Sequence, residues 1–415
     1  MGIHPDVAKI TRRTFMAETS AAGAVLLAAP HLAPAAAKGA NDRLSIGMIG
    51  VGGRGSAHVK SLNDLAKQCN VQITAVCDVW QVNLDKAAAA VKKSSGKEPR
   101  KFTRFGDLLA LKDVDGVVIA TPDFAHAPIL VAALEAGKDA YVEKPMSIDL
   151  DLANKALELA HANDRVVQAG TQHRSEGPYI AATKVVASGV LGRISRVTAE
   201  VAFNEPRWAR GYSDCRQSDV DWDAYLFNRP KMPFDPKLLR RWHLYKLFTN
   251  GLSGLWMSHY ADAVHQILGA KYPASAVAHG GTYVWREDGR EHTDTFHALL
   301  DYPEGFLMSW GMGLGNSAGT RFTVHGTQGT LDVDKQLLSP QGGAKGTKVQ
   351  ERKVQPEKDV SHMGNWLECM RTRQRPNADI QYGHQHAAAT ILAAIALETG
   401  LRQKYDPEKR QISAG

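Results

Sequence analysis

Short, mainly apolar runs alternate with amphipathic stretches between residues 44 and 170. Each apolar run predicts a strand buried on both faces, and the stretches between the runs carry apolar residues at helical spacing. Strands that alternate with helices in this way indicate right-handed crossovers and a parallel, doubly wound sheet. We predict strands at 44–49, 71–78, 114–121, 139–142 and 166–170, and helices at 81–93, 125–136 and 148–162.

The pattern changes after residue 170. Segments that alternate like strands predict a mostly antiparallel sheet, and they lie at 194–203, 276–285, 293–302, 305–311, 319–325 and 329–333. Helices are predicted at 179–188, 254–269, 363–371 and 384–401, whereas 336–360 is polar and predicts a surface excursion. Residues 204–250 are rich in Trp, Arg, Pro and Asp without a clear period, and long irregular stretches of this kind are usually functional or form caps.

The two patterns predict an α/β chain of two domains, for which 415 residues are sufficient. An N-terminal Rossmann domain, built on the doubly wound parallel sheet, is expected over 44–170. A C-terminal α+β domain with an open, mostly antiparallel sheet is expected over 171–415. That second domain would serve substrate binding and oligomerisation.

Residues 1–37 have the features of an export signal. Arg12 and Arg13 form a twin-arginine pair, the apolar run at 21–29 is too short to span a bilayer, and small residues at 35–37 offer a cleavage site. We predict a twin-arginine signal peptide over 1–37, a linker over 38–43, and a periplasmic or otherwise extracytoplasmic protein that is free of the membrane after processing. An uncleaved tether or a disordered tail is the alternative.

Composition excludes several other classes of protein. The net charge of +7 is spread along the chain and no nucleic-acid motif accompanies it, so no nucleic-acid partner is expected. No metal-ligand spacing, Walker motif or G-x-S-x-G elbow is present, and no metal is expected. The four cysteines show no C-x-x-C spacing and their pairing stays open; they are Cys69, Cys77, Cys215 and Cys369.

A glycine-rich turn follows the first predicted strand. Gly50, Gly52 and Gly55 stand at the G-x-G-x-x-G spacing, which allows a tight turn, close approach of a pyrophosphate and close packing of the next helix. The N-terminus of that helix offers free N–H groups to the phosphates. The turn therefore predicts a dinucleotide site.

The second predicted strand ends in a carboxylate, Asp78. A carboxylate at this place accepts hydrogen bonds from the adenosine ribose and repels a 2′-phosphate, which predicts NAD as the cofactor. NADP stays possible, because Arg54 or Lys86 could hold the additional phosphate.

Two further motifs follow predicted strands and so belong to the carboxyl edge of the sheet, where α/β proteins bind ligands. Thr121, Pro122 and His126 follow the third strand, where a plain helix cap by Asp123 is an alternative.

The second of these motifs is Glu143-Lys144-Pro145, after the fourth strand. The proline holds Lys144 extended, and desolvation near a nicotinamide would lower the pKa of its ammonium group. Lys144 is thus suited to hydrogen-bond a substrate hydroxyl. The residues predicted to bind the dinucleotide are Gly50, Gly52, Gly53, Arg54, Gly55, Asp78, Thr121, Pro122, His126, Glu143 and Lys144.

His259 is the candidate base of the second domain. Imidazole is the usual group that takes an alcohol proton, and Asp262, three residues on, could orient it or bind a hydroxyl. A histidine satisfied in the domain interface is the alternative. Polar and aromatic side chains suited to a sugar are predicted at Gln172, His173, Arg174, Trp242 and Tyr245.

These motifs together resemble the Gfo/Idh/MocA oxidoreductases, a family of sugar and polyol dehydrogenases that includes glucose–fructose oxidoreductase and inositol dehydrogenase. The matching positions are Gly50-x-Gly52-x-x-Gly55, Thr121-Pro122-x-x-x-His126, Glu143-Lys144-Pro145 and His259-x-x-Asp262. The resemblance implies that Lys144 is the catalytic lysine, that Pro145 is a conformation-setting and often cis proline, and that His259 is the catalytic histidine. Many members carry an aspartate four residues before that histidine, where this chain has Leu255, which departs from the usual lysine–aspartate–histidine set. The resemblance also implies a homo-oligomer, either a dimer or a tetramer.

Three functions are consistent with the sequence. The first is an NAD(P)-dependent oxidoreductase that acts on a sugar, polyol or glycoside and retains its cofactor tightly, because free dinucleotide is scarce outside the cytoplasm. The second is a redox-neutral glycosidase or lyase that oxidises a sugar transiently, as some members of the family do. The third is a non-catalytic sugar-binding protein.

Overall fold

The structure is a computed structural model that describes residues 42–415. The predicted signal peptide and most of the predicted linker lie outside the described residues. Within the described range, no helix combines the length and the apolar character needed to cross a membrane.

The first domain is a six-stranded parallel sheet in the order β3-β2-β1-β4-β5-β6, which confirms the predicted doubly wound fold. Its strands are β1 (Leu44–Ile49), β2 (Val71–Cys77), β3 (Arg100–Phe102), β4 (Gly116–Ile119), β5 (Asp139–Val142) and β6 (Val167–Ala169). Its helices are α1 (Gly53–Leu65), α2 (Gln81–Ser95), α3 (Phe105–Leu109), α4 (Asp123–Glu135) and α5 (Leu150–Ala162). Every residue of β4 and β5 is buried, as the apolar runs predict. Strand β3 was not predicted, because its sequence, Arg-Lys-Phe, is mostly exposed and carries no apolar run.

The second domain is built on a ten-stranded sheet in the order β14-β13-β12-β11-β7-β10-β9-β8-β15-β16. Only the β7–β10 pair is parallel within this sheet, so the prediction of a mostly antiparallel sheet is confirmed. Its strands are β7 (Ile194–Asn204), β8 (Ser275–Gly281), β9 (Thr295–Tyr302), β10 (Phe306–Gly313), β11 (Gly315–Gly326), β12 (Thr330–Asp332), β13 (Leu337–Ser339), β14 (Arg352–Lys353), β15 (Gln403–Asp406) and β16 (Gln411–Ala414). The helices after β6 are α6 (Gly177–Ala187), α7 (Trp222–Leu226), α8 (Pro236–Arg240), α9 (Ser258–Leu268), α10 (His362–Thr372) and α11 (Ile380–Thr399).

Helix α10 packs on the first domain, although the sequence predicted that both C-terminal helices complete the second. Trp366 is fully buried in one apolar cluster with Ile46 and Met48 of β1. Its ring lies edge-on to Tyr141 of β5, with centroids 5.9 Å apart. Gly116 makes room for this packing, since a Cβ there would lie 3.3 Å from the Trp366 ring.

Residues 205–250, which we call the covering segment, leave the second domain and pack along the carboxyl edge of the first. Trp80 forms an isolated β-bridge with Val220, and the Asp221 N–H donates to the Val79 carbonyl at 2.9 Å. This stretch has no sequence period because its apolar side chains pack singly against the first domain instead of forming one regular face.

A π-helical turn, Ser253–Met257, leads directly into α9. Leu255 and His259 therefore reach the edge of the parallel sheet from the second domain.

Candidate functional site

A cavity of about 710 Å³ lies between the carboxyl edge of the parallel sheet and the covering segment. Its lining brings together the glycine-rich turn, Asp78 and Lys144 from the first domain with His259 from the second. The covering segment contributes Arg210 and Trp242 on the opposite side. The cavity is therefore a cleft between domains, which is where ligand sites commonly occur.

The glycine-rich turn has the geometry of a phosphate-binding loop. Gly50 has a φ of +80°, and a Cβ there would lie 2.7 Å from the backbone of Ala120. A Cβ on Gly55 would overlap the carbonyl oxygen of Gly50, so helix α1 can approach β1 only with glycine at that position. Helix α1 begins at Gly53 with neither a side-chain cap nor an acidic residue in its first turn. Its N-terminal N–H groups are thus available to an anion, and the loop fits the pyrophosphate of a dinucleotide.

Asp78 lies at the end of β2, at one side of the cavity. Its Oδ2 accepts the Val51 N–H and its Oδ1 accepts the Trp80 N–H, both at 2.9 Å. Burial raises the pKa of Asp78, and these backbone donors oppose that effect. The carboxylate is thus held at the position where a dinucleotide presents its ribose hydroxyls.

Arg54 and Lys86 were predicted as side chains that could hold the 2′-phosphate of NADP, but neither is available beside Asp78. Arg54 Nε donates to Glu143 Oε1 at 2.9 Å, and Lys86 is an exposed residue of α2 that does not line the cavity.

Glu143 is the centre of a buried hydrogen-bond network. Its Oε1 lies 2.9 Å from Arg54 Nε, 2.7 Å from His58 Nε2 and 3.2 Å from Gln172 Nε2. Burial opposes ionisation, but the hydrogen bonds and charges of His58 and Arg54 outweigh it and hold the pKa of Glu143 well below its usual range. This anchored carboxylate fixes the backbone that carries Lys144, whose N–H it accepts at 3.1 Å.

Lys144 precedes Pro145 through a cis peptide bond, and its side chain extends to the second domain. Nζ donates to the Leu255 carbonyl at 2.5 Å, so the residue that replaces the usual aspartate supplies a backbone acceptor instead. Burial lowers the pKa of Lys144, and the nearby carboxylates of Asp123 and Glu143 oppose that effect.

His259 lines the same cavity as Lys144. Its Nδ1 is buried and has no hydrogen-bond partner within residues 42–415. Burial holds the pKa of His259 well below its usual range, and the positive charge of Lys144 lowers it further. The imidazole is therefore in its neutral form, with one unprotonated ring nitrogen, near physiological pH.

Several other predicted residues support the cavity wall. Thr121, Pro122, Gln172 and Trp242 line the cavity. His126 also lines it, and its two ring nitrogens lie 2.8 Å from the carbonyl oxygens of Thr121 and Pro145, so that it joins the two motifs.

His173 stands just behind this wall. Its ring stacks on Tyr179 with centroids 4.2 Å apart and lies 5.3 Å from the His259 ring. Its Nδ1 lies 2.8 Å from Glu176 Oε2, and it does not line the cavity.

The structure does not bring Asp262, Arg174 or Tyr245 to the cavity. Asp262 is fully buried, and both of its carboxylate oxygens accept from Arg174 Nε at 2.9 Å. Each of these buried charges stabilises the other, because a buried ion without its partner would cost several kcal/mol of stability. The suggestion that Asp262 orients His259 or binds a hydroxyl is thus replaced by a structural ion pair, and Arg174 is likewise not free for a sugar.

Asp123 is a cavity residue that the sequence analysis considered only as a helix cap. It does not cap α4, whose N-cap is Pro122 without a side-chain hydrogen bond. Its Oδ2 instead accepts the Thr249 hydroxyl at 2.8 Å. Burial raises the pKa of Asp123 to about 6, although the charges of His126 and Lys144 act in the opposite direction. The sequence does contain a signal for this role, since Asp123 is a carboxylate that closely follows the third predicted strand.

Asp123→Asn is expected to stabilise the fold at alkaline pH but not at acid pH. Because the native pKa of about 6 exceeds the unfolded value, stability falls as pH rises between about 4 and 6 and stays lower above that. Asparagine can still accept from Thr249 and carries no charge, so we expect a gain of about 2–3 kcal/mol at about pH 8 and none at about pH 4. Urea unfolding at both pH values measures the difference. Asp64→Asn, in an exposed pair with Lys60, is the control, and an equal effect of both variants would contradict the prediction.

Comparison with known proteins places the chain among known oxidoreductases. A model described as "Oxidoreductase family, NAD-binding Rossmann fold" matches residues 44–171, and one described as "Oxidoreductase family, C-terminal alpha/beta domain" matches 217–407. Both models carry the family label GFO_IDH_MocA.

Curated relatives match over only part of their length. A "Glycosyl hydrolase family 109 protein" of Shewanella sp. (strain W3-18-1) is 30% identical over 172 residues, which are 40% of this chain and 36% of that protein. An "Inositol 2-dehydrogenase" of Corynebacterium glutamicum (strain R) is 33% identical over 152 residues, 36% of this chain and 43% of that protein. The chain thus matches little more than a third of the length of the first of these relatives.

Among solved structures, the WlbA dehydrogenase from Bordetella pertussis, in complex with NADH and UDP-GlcNAcA, has a TM-score of 0.66 at 20% identity. The match covers 88% of this chain and 99% of that one. At this identity the likeness shows that the two proteins share a fold.

Proposed function

This chain belongs to the Gfo/Idh/MocA oxidoreductase family, with NAD as its cofactor, and on that premise we propose that it transfers hydride between NAD and a sugar, polyol or glycoside. One observation carries the proposal. The Lys144 ammonium group and the neutral His259 imidazole line the same cavity as the phosphate-binding turn and Asp78.

Cofactor binding and proton transfer are assigned to different residues. Gly50, Gly52 and Gly53 would hold the pyrophosphate and Asp78 the adenosine ribose, and bound NAD supplies the hydride acceptor. His259 would accept the proton of the substrate hydroxyl through the unprotonated nitrogen of its neutral imidazole.

Lys144 Nζ orients that hydroxyl and stabilises negative charge on its oxygen as the proton leaves. The covering segment lines the cavity, and burial of a substrate beneath it would strengthen both interactions. Sugar or polyol substrates are supported by the similarity to relatives such as an inositol 2-dehydrogenase.

We also propose that the cofactor is retained between turnovers and that the protein acts outside the cytoplasm. The twin arginines at residues 12 and 13 support export, and a cavity covered by a segment of the second domain supports retention. Export through this route would then carry the dinucleotide with the folded protein.

The first experiment is to purify the protein without added nucleotide, denature it and quantify the NAD(H) and NADP(H) released per chain. We expect near-stoichiometric NAD(H). A protein that is empty but binds NAD would contradict retention, and a protein that neither contains nor binds a dinucleotide would overturn the proposed function.

A redox-neutral glycosidase is the second candidate, because the chain is similar to a glycosyl hydrolase family 109 protein. The same site would oxidise a glycoside to a keto-sugar, eliminate the aglycone as its alcohol, add water to the resulting double bond and return the hydride to the ketone. Incubation of the purified protein with nitrophenyl glycosides, without added nucleotide, separates the two candidates. Nitrophenol release with no net NADH would favour the glycosidase, whereas sugar oxidation with accumulation of NADH favours the dehydrogenase.

A further inference from the structure

Arg210 of the covering segment lies directly over the glycine-rich turn. A Cβ built on Gly53 would come within 3.4 Å of one terminal nitrogen of the Arg210 guanidinium and within 3.5 Å of the other. Gly53 is the first residue of α1, so this guanidinium lies beside the N-terminal end of that helix. Two groups from different domains that both favour an anion thus face each other across the cleft.

No group within residues 42–415 neutralises this guanidinium. Arg210 has no side-chain hydrogen bond or ion pair in that range, and its only charged neighbour of influence is Arg240. Burial lowers the pKa of Arg210, and the like charge of Arg240 lowers it further. Arg210 is an exposed side chain, and an anion that entered between its guanidinium and the helix N-terminus would be attracted by both.

Arg54, which the glycine motif itself supplies, does not serve this purpose. Its Nε donates to Glu143 Oε1, and Glu143 also lies 2.7 Å from His58 Nε2. The arginine nearest the turn in sequence is therefore engaged by a carboxylate, and the one that remains available comes from the second domain.

The backbone around Arg210 is fixed rather than loose. The Arg210 carbonyl accepts from Arg241 Nε at 2.6 Å, and the Arg210 N–H donates to the Trp208 carbonyl at 2.7 Å. Trp208 stacks on His243 with ring centroids 5.4 Å apart. The backbone that carries Arg210 is thus held in place before any ligand binds.

We propose that Arg210 binds the pyrophosphate of the dinucleotide from the side of the second domain and so closes the cofactor site. This inference rests on the proposed function, because it concerns the same cofactor. It makes this contact one contribution to the proposed retention of NAD. Release of the dinucleotide would then require that the Arg210–phosphate interaction breaks.

The test compares probes with and without a pyrophosphate on protein from which co-purified NAD(H) has been stripped. Titration calorimetry with ADP-ribose, competition with adenosine, and stopped-flow release of NADH are measured for the wild type and for Arg210→Ala. We expect Arg210→Ala to weaken ADP-ribose binding about 10- to 100-fold, the range for a hydrogen bond to a charged group, and to accelerate NADH release by a similar factor. Adenosine binding is expected to stay unchanged, which also shows that the variant is folded.

Arg216→Ala is the matched control, since Arg216 is an exposed residue of the same segment that does not line the cavity. Arg210→Lys is expected to recover part of the affinity, because it keeps the charge and loses the planar fork. An unchanged ADP-ribose affinity in Arg210→Ala, or an equal loss for adenosine, would overturn the inference while leaving the proposed function intact. If the wild type binds neither NAD nor ADP-ribose, the proposed function fails and this inference with it.

Discussion

Replacement of Lys144 by methionine is expected to lower the rate of hydride transfer about 1,000-fold while dinucleotide affinity changes little. Lys144 Nζ points across the cleft to the Leu255 carbonyl, in the part of the cavity that His259 also lines. Methionine keeps the length and the apolar stem of the side chain but cannot donate a hydrogen bond or stabilise an alkoxide. The measurement is the reduction of bound NAD by a panel of sugars and polyols, followed by the absorbance of reduced nicotinamide, together with NADH titration.

Lys86→Met provides the control, because Lys86 is an exposed lysine of the same domain that does not line the cavity. A Lys144→Met protein that reduces NAD as fast as the wild type would contradict the catalytic role. If the wild type binds NAD and sugars but no panel member reduces NAD, the non-catalytic sugar-binding hypothesis gains support.

Gly55→Ala is expected to abolish dinucleotide binding and to lower the free energy of unfolding by about 3 kcal/mol. The added Cβ would overlap the Gly50 carbonyl oxygen. Gly50 cannot move away from the added Cβ, since it lies against the backbone of Ala120. The turn must therefore open, and the N–H groups of α1 lose the arrangement that suits a pyrophosphate.

Urea unfolding and NADH titration measure both effects. Gly313→Ala is the control, because a Cβ there meets no atom within 4 Å. Normal NADH affinity in Gly55→Ala would show that the close packing of α1 on β1 is not needed for binding.

The fold was largely predictable because its signals are local. Apolar runs such as the one that forms β4 and glycines at fixed spacing report burial and turn geometry within a few residues. The positive φ at Gly50 and the carboxylate of Asp78 at the end of β2 lie where the spacing predicts them. The predicted functions of Lys144 and His259 remain predictions, although both side chains do meet in one cavity.

What the sequence could not predict depends on partners distant along the chain. Asp262 is three residues from His259, yet its carboxylate pairs with Arg174, which lies 88 positions away. Helical spacing says which residues share a face, but it does not say which partner that face meets. The proposed role of Arg210 could not be predicted either. The stretch around it has no periodicity, and the role depends only on the position of its guanidinium opposite the first domain.

The position of α10 has a consequence for how the chain is made. Trp366 completes the apolar cluster around β1, but it emerges from the ribosome about three hundred residues after that strand. During synthesis of the second domain, the surface that Trp366 and Met370 cover stays open to solvent and to chaperones. The two domains are therefore not independent modules, because the core of the first is completed by a helix that follows most of the second in the sequence.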